Sequence, residues 1–155
     1  GVGLIAFGNR TYTGWGGPFD NALRLLANTG ALQPRVATPS PALVAMRDAV
    51  TRLVLAWNAP LADSIAAVNL FLDQSAERRR ANIAALTSKL GPCRAGSGFA
   101  YVENALRGSW VLPCERGQLR VDITLAPTMP PRVQHLEASD AAVSGTPSRP
   151  RICTG

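Results

Sequence analysis

Apolar residues along this chain fall into two regimes. From Phe19 to Leu90 they recur at intervals of three and four, and after Gly98 they alternate. The first regime predicts helices. Gly14-Trp15-Gly16-Gly17-Pro18 reads as a flexible turn, after which Phe19 to Thr29 sets Leu23, Leu26 and Ala27 on one face, with Gly30 as the stop. Gln33 to Pro41, with three prolines, is a linker. Ser40 then caps a helix that takes Pro41 first and repeats Leu43, Met46, Val50, Val54 and Trp57 at helical spacing, until Asn58-Ala59-Pro60 ends it. Leu61 to Leu72 reads as a second helix of this group, with Ile65, Val68 and Leu72 facing one way. Asp73-Gln74-Ser75 breaks it. Ser75 to Leu90 is a third, burying Ile83, Leu86 and Leu90 and stopped by Gly91-Pro92.

The second regime predicts strands at Phe99–Glu103, Ser109–Cys114, Gln118–Leu125 and Arg132–Glu137. Glu115-Arg116-Gly117 makes a hairpin turn, with Glu115-Arg116 as its solvated tip. In the third strand Leu119, Val121, Ile123 and Leu125 face the core, while Arg120, Asp122 and Thr124 face away. Pro127–Pro131 is a stiff connection, and Ser139–Gly155 reads as a mobile tail rich in Ser, Pro, Gly and Ala. Helices followed by an antiparallel meander give an α+β fold, with N-terminal helices packed on a curved sheet of about four strands. Such a sheet makes a cone with a pocket in its concave face.

The start of the chain stands outside this scheme. Residues 3–7 are an uninterrupted apolar run closed by Gly8 and Asn9, the pattern of a strand covered on both faces. This orphan strand, with the helix after it, is expected to belong to a sheet contributed by a longer protein. An unpaired apolar edge seeks a partner, so dimerisation through residues 2–7 is expected.

Composition changes this picture little. A hydrophobic fraction of 46% with 17% charged residues is that of a globular protein with a core. No apolar stretch is long enough to span a bilayer, and no signal peptide opens the chain, so the signal of an exported parent would lie upstream of Gly1. The net charge of +6 invites a nucleic-acid reading, but the arginines are scattered. Their one cluster, Arg78-Arg79-Arg80, points round a helix and reads as a solvated face, so no nucleic-acid partner is expected. Cys93 follows a helix stop and Cys114 sits at a hairpin turn, placements suited to a disulfide in an exported domain; two half-buried thiols are the alternative. Cys153 has no assigned role. One histidine and no CxxC leave no metal site and no cofactor to expect.

Two stretches resemble known proteins. Gly1 to Tyr12 and the helix through Leu26 resemble the last strand and terminal helix of the serine beta-lactamase and penicillin-recognising hydrolases, where a G-x-G strand ending in Asn precedes a C-terminal helix. Ser40 to Ser139 resembles an accessory domain found after such hydrolases. The residues that carry this second likeness include Trp57-Asn58, Asn69-Leu70-Phe71-Leu72-Asp73, Glu77-Arg78-Arg79-Arg80, Trp110-x-x-x-Cys114-Glu115-Arg116-Gly117, Ile123-Thr124-Leu125-Ala126-Pro127 and Pro131-Arg132-Val133-Gln134-His135-Leu136. The resemblance implies the cystatin-like cone of nuclear-transport-factor-two-like and ketosteroid-isomerase-like domains. It also implies a partition into residues 1–37 from the hydrolase, an accessory domain at 38–139 and a tail at 140–155. A periplasmic or otherwise exported location follows, with the parent's catalytic domain as partner and envelope material or a small molecule as a further ligand.

The family's S-x-x-K, Y-x-N and K-T-G or H-x-G motifs are absent, so no catalytic residue carries over and no beta-lactam hydrolysis is expected of this chain. Trp57, Phe71, Tyr101, Trp110 and His135 are the candidates for a pocket in the cone. The alternative function is a small independent enzyme or ligand-binding protein using a ketosteroid-isomerase-like pocket, with Asp63, Asp73, Tyr101 or Asp122 as acid or base. Each of these also reads as a cap, a helix turn or an outer sheet position. Trp57, Phe71 and Trp110 read more readily as the core between helices and sheet than as an aromatic binding platform.

Overall fold

The alternating stretch that begins at Gln118 is the spine of a four-stranded antiparallel sheet. The structure, a computed structural model, describes residues 3–9, 14–30 and 37–141. The chain divides into two units, residues 1–36 with 148–155, and residues 37–147. The expected tail and Cys153 lie outside the described residues.

In the first unit α1 (Gly16–Asn28) starts three residues before the expected Phe19. Gly-Gly-Pro makes its first turn, which Pro18 tolerates because N–H groups there have no intrahelical partner. Trp15 and Phe19 stack with ring centroids 6.2 Å apart. At the other end the Thr29 hydroxyl donates to the Leu26 carbonyl at 2.6 Å, and Gly30 takes a positive φ of 72°. The strand expected at the start is not formed among the described residues 3–9, and Ile5 and Phe7 are 83% and 91% exposed. A strand is stable only when a neighbour takes up its backbone groups, and none does so here.

The second unit is α+β, with α2 (Pro41–Leu55), α3 (Ala59–Ile65) and α4 (Ala76–Leu90) preceding β1 (Tyr101–Asn104), β2 (Arg107–Cys114), β3 (Gly117–Ala126) and β4 (Arg132–Asp140). The strands lie in the order β1-β2-β3-β4, a meander. Ser40 caps α2 as its sequence predicts, accepting from the Leu43 N–H at 3.1 Å. Its hydroxyl also donates to the Ala105 carbonyl at 2.7 Å, which ties the helix start to the β1–β2 turn. Leu43, Val50, Leu53 and Val54 of α2 are buried against Leu119, Val121, Ile123 and Leu125 of β3, flanked by Trp110, Leu112, Val133 and Leu136.

Two helix boundaries differ from the periodicity. Trp57 lies beyond the end of α2, because Ala56 is extended and Asn58 caps α3, accepting from the Leu61 N–H at 2.8 Å. The more consequential difference is that α3 stops at Ile65 rather than Leu72. Ala66 bridges Val133 in parallel, and the Ala67 N–H donates to the Val133 carbonyl at 2.8 Å. The edge of β4 thus captures the backbone that would have continued the helix. Leu70 turns into the core, while Val68 and Leu72, expected on the buried face, are 93% and 78% exposed.

The β2–β3 hairpin grips the C-terminus of α4. Gly91, with φ of 77°, stops the helix. The Arg116 N–H donates to the Leu90 carbonyl at 2.8 Å, while its Nε and Nη2 donate to Lys89 and Ser88 carbonyls at 3.0 and 2.7 Å. Arg116 is therefore a helix cap rather than a solvated tip, satisfying carbonyls that a helix end leaves unpaired. Beside it Cys93 and Cys114 form the disulfide, closing a separation of 21 residues. Replacing both cysteines by serine should lower the unfolding free energy of the chain by about 3 kcal/mol, read from urea denaturation, through the added loop entropy of the unfolded state.

Candidate functional site

A groove of about 370 Å³ lies between the N-terminal half of α4 and the free edge of β4. Ser75 fixes where α4 begins, accepting from the Arg78 N–H at 3.3 Å. The Glu77 carboxyl is held below its usual pKa by its own backbone N–H, and then by the Ser75 hydroxyl. Asp73 and Gln74 precede the cap and form one rim of the groove, Arg79, Asn82 and Ile83 form the helix wall, and His135, Leu136, Glu137 and Ala138 form the strand wall.

Arg79 is the organising residue of this site, and it is buried. Its Nε and Nη2 donate to the Leu70 carbonyl at 3.2 and 2.9 Å, and its Nη1 donates to the Leu136 carbonyl at 2.6 Å. Burial pushes the guanidinium's pKa down, opposed by Asp73, whose Oδ2 lies 3.9 Å from Nη2. The reading of Arg78-Arg79-Arg80 as a wholly solvated face is corrected at this middle residue. The signal was present in the spacing, since Arg79 stands four residues before Ile83 on the same helical stripe as Leu86 and Leu90. A guanidinium in that stripe needs acceptors, and two bare carbonyls supply them.

Of the five pocket candidates, His135 lines this groove. Its Nε2 lies 3.8 Å from the Glu137 carboxylate, and both side chains are exposed. Trp110 sits in the core, its ring edge-on to Phe99 with centroids 5.9 Å apart and its Nε1 without a hydrogen-bond partner among the described residues. Trp57 and Phe71 pack on the margin of the same core, and Tyr101 is exposed on β1. The outer face of the sheet, which the groove residues His135 and Glu137 share with Thr124 and Asp122, is polar. There Arg120 makes a two-pronged pair with Asp122 at 2.8 Å, which raises its pKa, and Nη2 also donates to the Ser109 hydroxyl at 3.1 Å. Among the described residues no three metal-ligating side chains converge.

The groove offers two exposed carboxylates, an imidazole and two side-chain amides, while the charge of Arg79 is turned inward to backbone. Chemically it can take hydrogen-bond donors and cationic groups. Arg79→Ala should cost about 2–3 kcal/mol in urea unfolding by leaving the Leu70 and Leu136 carbonyls without their donor, and Arg79→Lys should recover less than half, because an ammonium cannot fork between them. Trp110→Ala should cost about 3–5 kcal/mol. Trp110→Phe should cost much less, since the indole N–H makes no hydrogen bond. Compared with known proteins, the chain matches no family model, no curated protein and no solved structure.

Proposed function

We propose that the second unit is a non-catalytic accessory and binding domain of an exported serine hydrolase of the beta-lactamase type, and that residues 3–30 are the element that seats it on the catalytic domain. The observation that carries this reading is the unburied apolar surface of the first unit. Ile5, Phe7 and Leu25 are 83%, 91% and 69% exposed, and α1 buries no residue. Burying each such side chain is worth about 1.5–3 kcal/mol, so a partner surface is the natural home for this segment. A hydrolase sheet is the partner that the sequence resemblance names, and the disulfide suits an oxidising compartment. In the absence of that partner the same surface is expected to pair two copies through residues 2–7.

The non-catalytic half of the reading is supported by the filling of the sheet's helix-covered face, where Trp110, Leu112, Val121 and Ile123 leave no exposed wall for a ketosteroid-isomerase-like site. The α4–β4 groove favours the ligand-binding part of the alternative.

A chromogenic beta-lactam incubated with the chain should show no turnover above buffer; clear hydrolysis overturns the proposal. The paired substitution Ile5→Lys with Phe7→Asp should lower self-association in sedimentation and weaken binding of a hydrophobic dye, with the thermal unfolding of residues 37–141 unchanged. Unaltered association and dye binding would remove the role given to residues 3–30.

A further inference from the structure

β4 is an edge strand, and one stretch of its outer edge is open. The Ala141 N–H donates to the Gln118 carbonyl at 2.9 Å, which makes Gln118 and Ala141 a hydrogen-bonded pair. Antiparallel pairs alternate, so His135, Glu137 and Ser139 bond to β3, and the backbone groups of Leu136 and Ala138 point away from the sheet. Two carbonyls along this edge are already used in the manner of a strand partner. Val133 accepts from the Ala67 N–H, and Leu136 accepts from Arg79. Past that point the chain's own segment swings off through Asp73 to the cap of α4. The outward N–H groups of Leu136 and Ala138, and the Ala138 carbonyl, meet no partner among the described residues. They open into the groove, whose other wall is α4 and whose floor is Ile83 and Leu136, both buried.

We propose that this groove binds a short extended peptide that adds to the edge of β4 and places a lysine or arginine side chain between Asp73 and Glu137. Strand addition to an open edge beside a helix supplies affinity through main-chain bonds and selectivity through side-chain pockets. The volume of about 370 Å³ is at the small end of ligand sites, enough for a few residues and no more. Charge selects a basic side chain. Asp73 and Glu137 are exposed at the rim, while the guanidinium of Arg79 is committed to the Leu70 and Leu136 carbonyls. The chain's own Ala66–Val133 bridge shows that this edge accepts extended backbone, and the proposed peptide continues that pairing along the strand. The proposal rests on the second unit's being a binding domain and names the partner class.

The test is a titration of the isotope-labelled chain with the peptide Ala-Val-Arg-Val-Ala, followed by amide chemical shifts. Saturable shifts are expected at Asn82 and Leu136 to Ala138, with a Kd on the order of 0.1–1 mM. The same peptide with Glu in place of Arg should bind about tenfold more weakly, or worse. A peptide N-methylated at the central amide should not bind. Ala138→Pro removes an outward N–H without touching the β3 ladder, a change that edge strands tolerate, and should abolish binding with the unfolding temperature little changed. Glu137→Gln and Asp73→Asn should erase the preference for Arg over Glu. No saturable shift at the groove, or equal binding of the N-methylated peptide, overturns strand addition; equal binding of the Glu peptide overturns the basic specificity. Should Ala138→Pro fail to fold, the N-methylated peptide decides alone. Failure here leaves the turnover and dye-binding results for residues 3–30 as they stand, so the two readings fall separately.

Discussion

The Arg79 guanidinium joins backbone that no ladder connects. Leu70 lies in the turn after α3, Leu136 lies on the edge of β4, and Arg79 belongs to α4. Taking a guanidinium out of water costs several kcal/mol. Three charge-assisted hydrogen bonds return a similar sum at about 1.5–3 kcal/mol each. The net gain is therefore small, and what the residue secures is position. It sets the spacing between α4 and the sheet edge, holds the turn after α3 in place, and so determines that a groove exists.

The opposite end of α4 is held by the reverse arrangement. There the helix supplies the carbonyls and the β2–β3 hairpin supplies Arg116, with the Cys93–Cys114 bond alongside. Gly117 is part of the same joint, because a Cβ there would come within 3.0 Å of the Leu90 side chain. One helix is thus tied at its start to the last strand and at its end to the central hairpin. Apolar contact through Ile83 and Leu90 fills the space between the two ties.

What could be read from the sequence was what neighbours in sequence decide. Ser40 as a cap, Gly91 as a stop and the alternation of Leu119 to Leu125 are local signals, and each is realised. The pairing of Cys93 with Cys114 was also legible, since both lie next to chain reversals. The failures share a cause: a distant partner overrode a local preference. Ala66 leaves its helix to bridge Val133 on the edge of β4, and Arg116, though still exposed, reaches back to the carbonyls that end α4. Arg78-Arg79-Arg80 points round its helix as expected, but Arg79 falls on the stripe of Ile83 and Leu90 and is buried with them rather than solvated. In the candidate site the sequence points to His135 and Asp73, while the rest of the groove is made by backbone edges and amides that carry no motif.

The arginines bear on more than architecture. Arg79 and Arg116 are joined in such work by Arg120, paired with Asp122, and by Arg132, which donates to the Ser64 carbonyl at 2.7 Å. A guanidinium keeps its proton far into the alkaline range, whereas an ammonium or imidazole would release it. The chain has a single lysine and a single histidine, so its cationic fixtures are almost all of the kind that does not titrate. The ties of this domain are accordingly guanidinium groups almost throughout, with Arg79 buried and Arg116 and Arg132 still exposed at the surface.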